Sequence, residues 1–375
     1  MSLSTPPFRA DHVGSLLRPA AVQRARQARA DGEITVVELR EVEDAAVRAA
    51  VAMQESVGLQ SATDGEFRRT SWHMDFIYSL GGVDPAEEKL TVHFRNETGD
   101  VDFESAALRV HQRITLPETI FADAFSFLAG AVTTAVPKLT IPSPSMVDCR
   151  GGPASLDPDV YADREQFWTD LIAAYRAQLK GVYDLGCRYL QLDDTSLAYL
   201  NDPAQRAMIA SRGDDAEHQH ERYIHTINEV LADRPADLRV TTHMCRGNYR
   251  SSWAAEGSYD FVAEALFSQL AVDGFFLEYD DERSGGFAPL RFVPPGKRVV
   301  LGLVTTKRGA LESRDQLLRR IDEAAQYVPL DQLCLSPQCG FSSTVEGNAL
   351  TYDEQVAKLQ LIVDTARVVW GEPGA

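Results

Sequence analysis

The sequence has no long apolar run and no recognisable export signal. Although 44% of its 375 residues are hydrophobic, no stretch reaches the roughly 18 consecutive apolar residues that a membrane-spanning helix needs. Residues 1–7 carry neither the basic segment nor the apolar segment of a secretory signal peptide. These absences predict a cytoplasmic protein that engages no membrane.

Cysteine is scarce, and positive charge is in the minority. Five cysteines are an odd number in a long chain without an export signal, so reduced thiols are expected and a disulfide scaffold is not. The chain carries 37 Lys and Arg against 55 Asp and Glu, a formal net charge of −18. A surface of this sign repels phosphate backbones, so we expect no nucleic-acid partner.

Short apolar segments alternate with helical patterns along the chain. This alternation predicts an α/β fold, specifically a (β/α)8 TIM barrel, with a β-hairpin excursion around residues 85–117. The predicted strands are residues 8–15, 59–66, 138–142, 188–194, 237–245, 274–280, 298–303 and 332–336. A long helical stretch is predicted at 203–231. There is no internal repeat and no low-complexity linker, so residues 1–375 are predicted to form one catalytic domain.

Four residues at strand ends suggest a metal site. His243 and Cys245 are two positions apart on a strand, so their side chains point to the same side. Glu278 ends a strongly apolar strand, where an unpaired carboxylate would be costly to bury. Cys339 lies on a glycine-containing loop after the last strand. A lone buried cysteine is usually a small apolar core residue, but together these four side chains predict tetrahedral zinc.

A second group is acidic and lies on the same predicted face. Glu66, Asp193 and Asp194 end two strands, where carboxylates can bind an ammonium group, act as general bases or simply solvate a loop. Ser15 follows Gly14 in a turn whose backbone N–H groups could bind a carboxylate. Taken together, these residues predict a site for an amino acid.

Basic and aromatic residues form a third group, of which most members are expected to be solvated. Lys307, close after the seventh predicted strand, is the member most suited to a role in the site. The remaining cysteines, Cys149, Cys187 and Cys334, are predicted to be structural. The group consists of Arg18, Arg68, Arg69, Trp72, His73, Arg246, Tyr249 and Lys307.

Six motifs, in order along nearly the whole chain, resemble the cobalamin-independent methionine synthase family. They are HVGS at 12–15, DGEFRR at 64–69, LQLDD at 190–194, HMC at 243–245, FLEY at 276–279 and LSPQCG at 335–340. The chain is similar to the C-terminal catalytic half of these enzymes, in the short single-barrel form described as 5-methyltetrahydropteroyltriglutamate–homocysteine methyltransferase-like.

The resemblance implies a zinc-dependent S-methyltransferase of methionine biosynthesis. It implies that Zn²⁺ is held by the positions matching His243, Cys245, Glu278 and Cys339. It also implies that homocysteine is bound through Gly14, Ser15, Glu66 and Asp193. In the family, the homocysteine sulfur joins the zinc as a thiolate and attacks a methyl group, giving methionine.

Two departures from the family pattern leave the methyl donor open. The folate-using members carry DEPALRE at the fourth strand and bind the pterin with its last Glu, whereas this chain has DDTSLAY at 193–199 and places Tyr199 in that position. Lys307 stands where the family has a His linked to proton delivery. We therefore take Lys307 and Asp193 as candidate catalytic residues and Tyr199 as a candidate substrate-binding residue.

Two alternatives stay open beside homocysteine methylation. The same fold and zinc site resemble epoxyalkane–coenzyme M transferase, whose sulfonate-bearing thiol would need a cation such as Arg18 or Lys307. The chain could also be a non-catalytic barrel that binds metal or thiol. The expected partners are a small-molecule thiol, homocysteine, and an unidentified methyl donor, and self-association into a homo-oligomer is left open.

Overall fold

The computed structural model describes residues 5–96 and 99–372, and a curled parallel sheet lies at its centre. Seven strands follow one another in the order β1-β4-β5-β6-β7-β8-β9. They are β1 Ser61–Ala62, β4 Val136–Pro142, β5 Tyr189–Asp194, β6 Arg239–Met244, β7 Gly274–Glu278, β8 Arg298–Val304 and β9 Leu333–Pro337. Ala10 pairs in parallel with Leu335 of β9 and extends the sheet beyond that edge.

The first two predicted strands are much shorter than expected because side chains take over their backbone hydrogen bonds. Only Ala10 pairs in the first, where the Asp11 carboxylate accepts the N–H groups of Phe8 and His12 at 3.1 and 2.8 Å. In the second, the strand ends at Ala62, and the N–H of Thr63 donates to the side chain of Gln54 at 2.9 Å.

Helices cover the sheet. They are α1 Ala20–Ala30, α2 Val36–Ser56, α3 Met74–Ile77, α4 Ala122–Ala131, α5 Ser145–Gly151, α6 Arg164–Asp184, α7 Ser196–Tyr199, α8 Pro203–Ser211, α9 Gln219–Leu231, α10 Ala263–Gln269, α11 Arg314–Ala324 and α12 Tyr352–Trp370. The single helical stretch predicted at 203–231 is therefore two helices, and Gly213 lies between them with a φ of +89°. Within the described residues, none of these helices has both the length and the apolar character required to cross a bilayer.

The predicted hairpin excursion is present, with different bounds. It consists of β2 Gly81–Asn96 and β3 Gly99–Thr115, which pair antiparallel. The hairpin begins before the predicted residue 85 because Gly82 allows the two strands to approach closely. A Cβ atom at Gly82 would lie 2.7 Å from the carbonyl oxygens of Gln112 and Arg113.

Glu55 at the end of α2 fixes the start of β4. Its carboxylate accepts backbone N–H groups of Thr133, Thr134 and Ala135 at 2.7, 2.7 and 2.9 Å. Burial alone would raise the pKa of Glu55. The Thr133 hydroxyl, which donates to Oε2 at 2.6 Å, and these backbone hydrogen bonds outweigh burial and lower the pKa to about 2. The carboxylate therefore stabilises the folded state only while it is ionised.

We expect Glu55→Gln to destabilise the protein by about 1 kcal/mol at pH 7, a value reduced by the partial exposure of the group. The folded-state pKa lies below the unfolded value, so this contribution is complete above about pH 4.5 and disappears towards pH 2. Urea unfolding of both proteins between pH 3 and 8 measures it. A difference that stays constant with pH would contradict the assignment.

Candidate metal centre and substrate cavity

Four side chains converge at the carboxyl ends of the parallel strands. Their ligand atoms all lie within 4.8 Å of one another, and all four residues are buried. The two sulfur atoms are 3.6 Å apart, close to the separation of about 3.8 Å that tetrahedral Zn–S bonds require. This candidate metal centre consists of His243, Cys245, Glu278 and Cys339.

The positions of the four residues along the strands explain why they meet at one place. His243 lies near the end of β6, and Cys245 follows that strand two positions on, so both side chains face the same side. Glu278 is the last residue of β7, the neighbouring strand. Cys339 follows β9 on a loop that Asn248 holds by donating to the carbonyl of Gly340 at 3.0 Å.

The chemistry of the donor set fits zinc. Both ring nitrogens of His243 are buried and make no hydrogen bond within the part of the chain that the structure describes. Burial, followed by the neighbouring Cys339 thiolate, raises the pKa of Glu278 to about 7. A divalent cation would satisfy the imidazole and offset the cost of burying this acidic group.

A backbone contact orients the carboxylate of the centre. The N–H of Arg246 donates to Oε1 of Glu278 at 2.9 Å, and the N–H of Glu278 donates to the hydroxyl of Tyr259 at 3.0 Å. The Arg246 side chain turns away and places its guanidinium 4.5 Å from the centre of the Tyr259 ring. Arg246 therefore supports the centre through its backbone.

Glu66 lines the same cavity as the metal centre. It adopts a left-handed φ of 61°, a strained conformation for a side-chain-bearing residue. Its Oε1 accepts from the Thr140 hydroxyl at 2.8 Å and lies 3.6 Å from the Arg69 guanidinium. Its Oε2 is buried and unpartnered among the described residues, so it is available to accept from a substrate ammonium.

Asp193 also lines this cavity. Gln191, two positions earlier on β5, donates from one amide nitrogen to both Asp193 Oδ1 and the Val13 carbonyl at 2.6 Å. Burial raises the pKa of Asp193 to about 7 and the nearby Glu66 adds to the increase, against the opposing charge of His243. Two acidic groups in one buried cavity can be balanced by a bound ammonium group.

The turn at Gly14 and Ser15 packs against the loop that carries Cys339. A Cβ atom at Gly340 would lie 1.9 Å from Ser15 Oγ, and Ser15 lines the cavity. Gly14 has a φ of +143° and does not itself line the cavity. Among the described residues, neither of their N–H groups donates a hydrogen bond within the protein, so both remain available as donors.

Tyr199 lies in the cavity, whereas Lys307 does not. The Lys307 ammonium donates to Asp280 at 2.7 Å and lines an adjacent cavity. Asp194 is enclosed and accepts hydrogen bonds from Ser145 and Ser196 at 2.6 and 2.8 Å, so it holds its loop instead of facing a ligand.

Arg18 is not available to an anionic ligand. Its guanidinium donates to the carbonyls of Ser342, Glu66 and Arg69 at 2.8, 3.1 and 3.0 Å. Backbone carbonyls occupy both terminal nitrogens of Arg18, and the residue does not line the cavity, so the structure does not support the expectation that Arg18 could bind a sulfonate.

The hairpin supplies part of the cavity wall, which the sequence did not predict. Val92, Phe94 and Phe103 line the cavity of about 670 Å³, part of which is open to solvent. The Phe103 ring lies 4.4 Å from that of Tyr249, and reciprocal backbone hydrogen bonds of 2.7 and 2.8 Å join Arg95 to Trp253. These contacts are remote in sequence, and only the alternation of Val92 and Phe94 hinted at a buried face.

Fold and site together define a parallel α/β barrel with a buried Cys–His–Glu centre at the carboxyl ends of its strands. YxjH of Bacillus subtilis, named as an uncharacterized protein, is 47% identical over 365 residues, which cover 97% of this chain and 95% of that protein. The structure of a candidate vitamin-B12-independent methionine synthase from Listeria monocytogenes superposes with a TM-score of 0.78 at 38% identity, covering 98% of this chain and 99% of that one.

A more distant structure, a B12-independent methionine synthase from Shewanella sp. W3-18-1 in complex with selenomethionine, shares the fold. Its TM-score is 0.72 at 18% identity, covering 96% of this chain and 97% of that one. The family model for the catalytic domain of the cobalamin-independent synthases matches residues 8–368. The chain therefore belongs to the cobalamin-independent methionine synthase family, in a short form, and the predicted barrel fold is confirmed.

Membership confirms the predicted class of enzyme at a general level. The family carries out methyl transfer of the methionine synthase type. The assignment of residues 1–375 to one domain and the individual site residues stay predictions.

Proposed function

We propose that this protein transfers a methyl group to the thiol of homocysteine and produces methionine, with zinc held by the candidate metal centre. The observation that carries the proposal is the position of Glu66 and Asp193 in the same buried cavity as the metal centre. One cavity thus combines ligands for a thiol-activating metal with carboxylates for an amino-acid ammonium group.

Each end of homocysteine has a matching group in the cavity. Oε2 of Glu66 and the Asp193 carboxylate accept from the ammonium, which offsets the cost of their burial. The N–H group of Ser15, which lines the cavity, donates to the carboxylate, and Gly14 shapes the turn that positions it. These contacts direct the thiol towards the side of the cavity that carries Cys245 and Cys339.

When bound, zinc lowers the pKa of a coordinated thiol, which makes the sulfur nucleophilic near neutral pH. The sulfur then forms a bond to the methyl carbon while the bond between that carbon and the donor breaks, and the electron pair leaves with the donor. The thiol proton is released before this step. Val92, Phe94 and Phe103 provide an apolar wall that limits water at the reacting atoms.

Cobalt substitution tests the proposal without requiring the methyl donor. The Co²⁺-loaded full chain is titrated with homocysteine, while visible absorption and proton release are recorded. We expect an increased sulfur-to-cobalt charge-transfer band and release of about one proton per site. Methionine formation is then measured with methylfolate, methylcobalamin and S-methyl thioethers. Metal and homocysteine binding without turnover of any donor would favour the non-catalytic alternative.

We expect Asp193→Asn to raise the KM for homocysteine by about 100-fold, because it removes a charge-assisted contact in a buried site. Zinc content should stay at one equivalent, since Asp193 is not in the metal centre. Steady-state kinetics and metal analysis check both expectations. The matched control Asp194→Asn alters an enclosed structural carboxylate, and its main effect should be on stability. An unchanged KM in Asp193→Asn would remove Asp193 from the substrate site.

We keep Lys307 as a proposed catalytic residue. It lies in the adjacent cavity, where its ammonium group is paired with Asp280, and it would act on the reaction from that position. Their pair is nearly buried, with side-chain exposures of 10% and 3%. Lys307→Met should therefore lower kcat by about tenfold while the homocysteine KM changes little. If the folded variant keeps its full kcat and is only less stable, Lys307 has a structural role.

A further inference from the structure

A cationic side chain faces the substrate cavity without a partner. Arg150, near the end of α5, lines the cavity beside the metal centre. Within residues 5–96 and 99–372, its guanidinium makes no hydrogen bond or ion pair, and its Nε is buried. A buried donor left unpaired in a ligand cavity is a candidate contact for an anionic ligand.

The short helix α5 explains why Arg150 points inward. Asp148, two positions earlier, faces α6 and α9, where it accepts from Arg164 at 2.5 Å, Gln219 at 2.9 Å and Tyr223 at 3.1 Å. Two helical positions correspond to a rotation of about 200°. Arg150 therefore projects to the opposite side of α5, towards the cavity.

Two neutral side chains on the same cavity wall accompany Arg150. His73 is 6% exposed, and its Nε2 is buried and unpartnered among the described residues. Burial, reinforced by the nearby Arg150, lowers the pKa of His73 well below its usual range, so the ring is neutral. When the Ser71 hydroxyl donates to Nδ1, at 3.1 Å, the ring proton is on Nε2 and can be donated into the cavity.

Tyr199 adds a hydroxyl donor. Its O–H forms no hydrogen bond within the described part of the chain. Burial raises the pKa of Tyr199, and Arg150 opposes the increase from nearby, so the phenol stays protonated. The three side chains together offer a guanidinium, a phenol and an imidazole to one ligand.

We propose that Arg150, Tyr199 and His73 form an anion-binding subsite that holds an acidic group of the methyl donor. The inference rests on the proposed function, in which both charged ends of homocysteine are already matched by other residues. The acidic group is a carboxylate, sulfonate or phosphate, each of which suits a planar guanidinium.

The location of Arg150 favours the donor over the acceptor. Besides the substrate cavity, Arg150 lines a groove between the hairpin and the segment after α5, and this groove opens to solvent. A donor that enters from this side would place its acidic group on Arg150 and its methyl group towards the metal centre. In a chain of net charge −18, a local cation offsets the long-range repulsion of such an anionic substrate.

Selenate binding to the zinc-loaded full chain tests the subsite directly. Calorimetry and tryptophan fluorescence follow the titration, because the Trp72 ring lies 4.3 Å from that of His73. We expect Arg150→Gln to weaken selenate binding by about tenfold or more, since it removes the charged donor, and Arg150→Lys to retain part of the affinity. The selenium anomalous signal in crystals should place the anion beside the guanidinium.

Arg109→Gln is the matched control, because Arg109 lines the outer groove but not the substrate cavity and pairs with Asp157 at 3.2 Å. Selenate affinity should be nearly unchanged in this variant. Saturating homocysteine should also leave selenate binding and its dependence on Arg150 intact. Displacement of selenate by homocysteine would assign Arg150 to the acceptor carboxylate and overturn the proposal.

Equal selenate affinity in the wild-type and Arg150→Gln proteins would also overturn the proposed anion subsite. Zinc content, homocysteine binding and thermal unfolding of each variant are measured in parallel. Failure of the wild-type protein to bind zinc or homocysteine contradicts the proposed function. The difference in selenate affinity between the wild-type and Arg150→Gln proteins reports on the anion subsite alone. The two failures are therefore distinguishable.

Discussion

Replacing Cys245 with alanine is expected to eliminate tight zinc binding and to reduce methyl transfer by about 10³-fold or more, equivalent to roughly 4 kcal/mol in the barrier. The variant removes one of two thiolate ligands from a buried centre in which the sulfur atoms lie 3.6 Å apart. The remaining ligands cannot complete a tetrahedral site. Cys339→Ala should have the same effect because the two thiolates have equivalent roles.

Zinc affinity is measured by competition with a chromophoric chelator, and methyl transfer by methionine formation with the most active donor. Cys334→Ala is the matched control: Cys334 is also buried, on β9, but lies outside the candidate metal centre. It should keep one equivalent of zinc. Wild-type zinc affinity in Cys245→Ala would remove the residue from the centre and, with it, the main support for thiol activation.

The candidate metal centre could be predicted because it depends on local strand geometry. A spacing of two residues fixes the shared direction of His243 and Cys245, and the apolar run before Glu278 marks a strand end. Once a parallel barrel is predicted, strand ends meet on one face. The structure brings these residues together with Cys339, as expected.

Other parts of the site depend on packing between distant segments. Phe103 reaches the cavity only because the hairpin folds back over the barrel and Arg95 pairs with Trp253. Arg150 lines the cavity with a buried Nε that has no partner among the described residues, a property that no sequence pattern records. Likewise, the sequence could not show that Arg18 is occupied by backbone carbonyls.

The largest stability effect is expected from Lys138→Met, inside the barrel. Lys138 and Asp11 are fully buried and 3.4 Å apart. The ammonium also donates to the His12 carbonyl at 2.5 Å and lies 4.2 Å from the centre of the Phe276 ring. Removing the cation leaves a buried carboxylate without its counter-charge, which costs about 3–5 kcal/mol.

Urea unfolding at pH 7 measures this loss, and the exposed pair of Lys180 and Asp184 provides a matched control. Lys180→Met should change stability by less than about 0.5 kcal/mol, because exposed ion pairs contribute little. A change of less than about 1 kcal/mol in Lys138→Met would show that the buried pair is not required for stability.

A double variant separates the loss of the ion pair from the loss of the lysine's packing. Asp11→Asn together with Lys138→Met removes both charges, so no isolated carboxylate remains. The hydroxyls of Ser61 and Tyr189 contact opposite oxygens of the carboxylate at 2.9 and 2.8 Å. The single amide oxygen of Asn can accept from one of them, and the amide NH2 can donate to the oxygen of the other. We therefore expect the double variant to be more stable than Lys138→Met alone, with a coupling of about 2 kcal/mol or more. Purely additive losses would indicate that the lysine acts by filling space, and that the opposite charge of Asp11 is incidental.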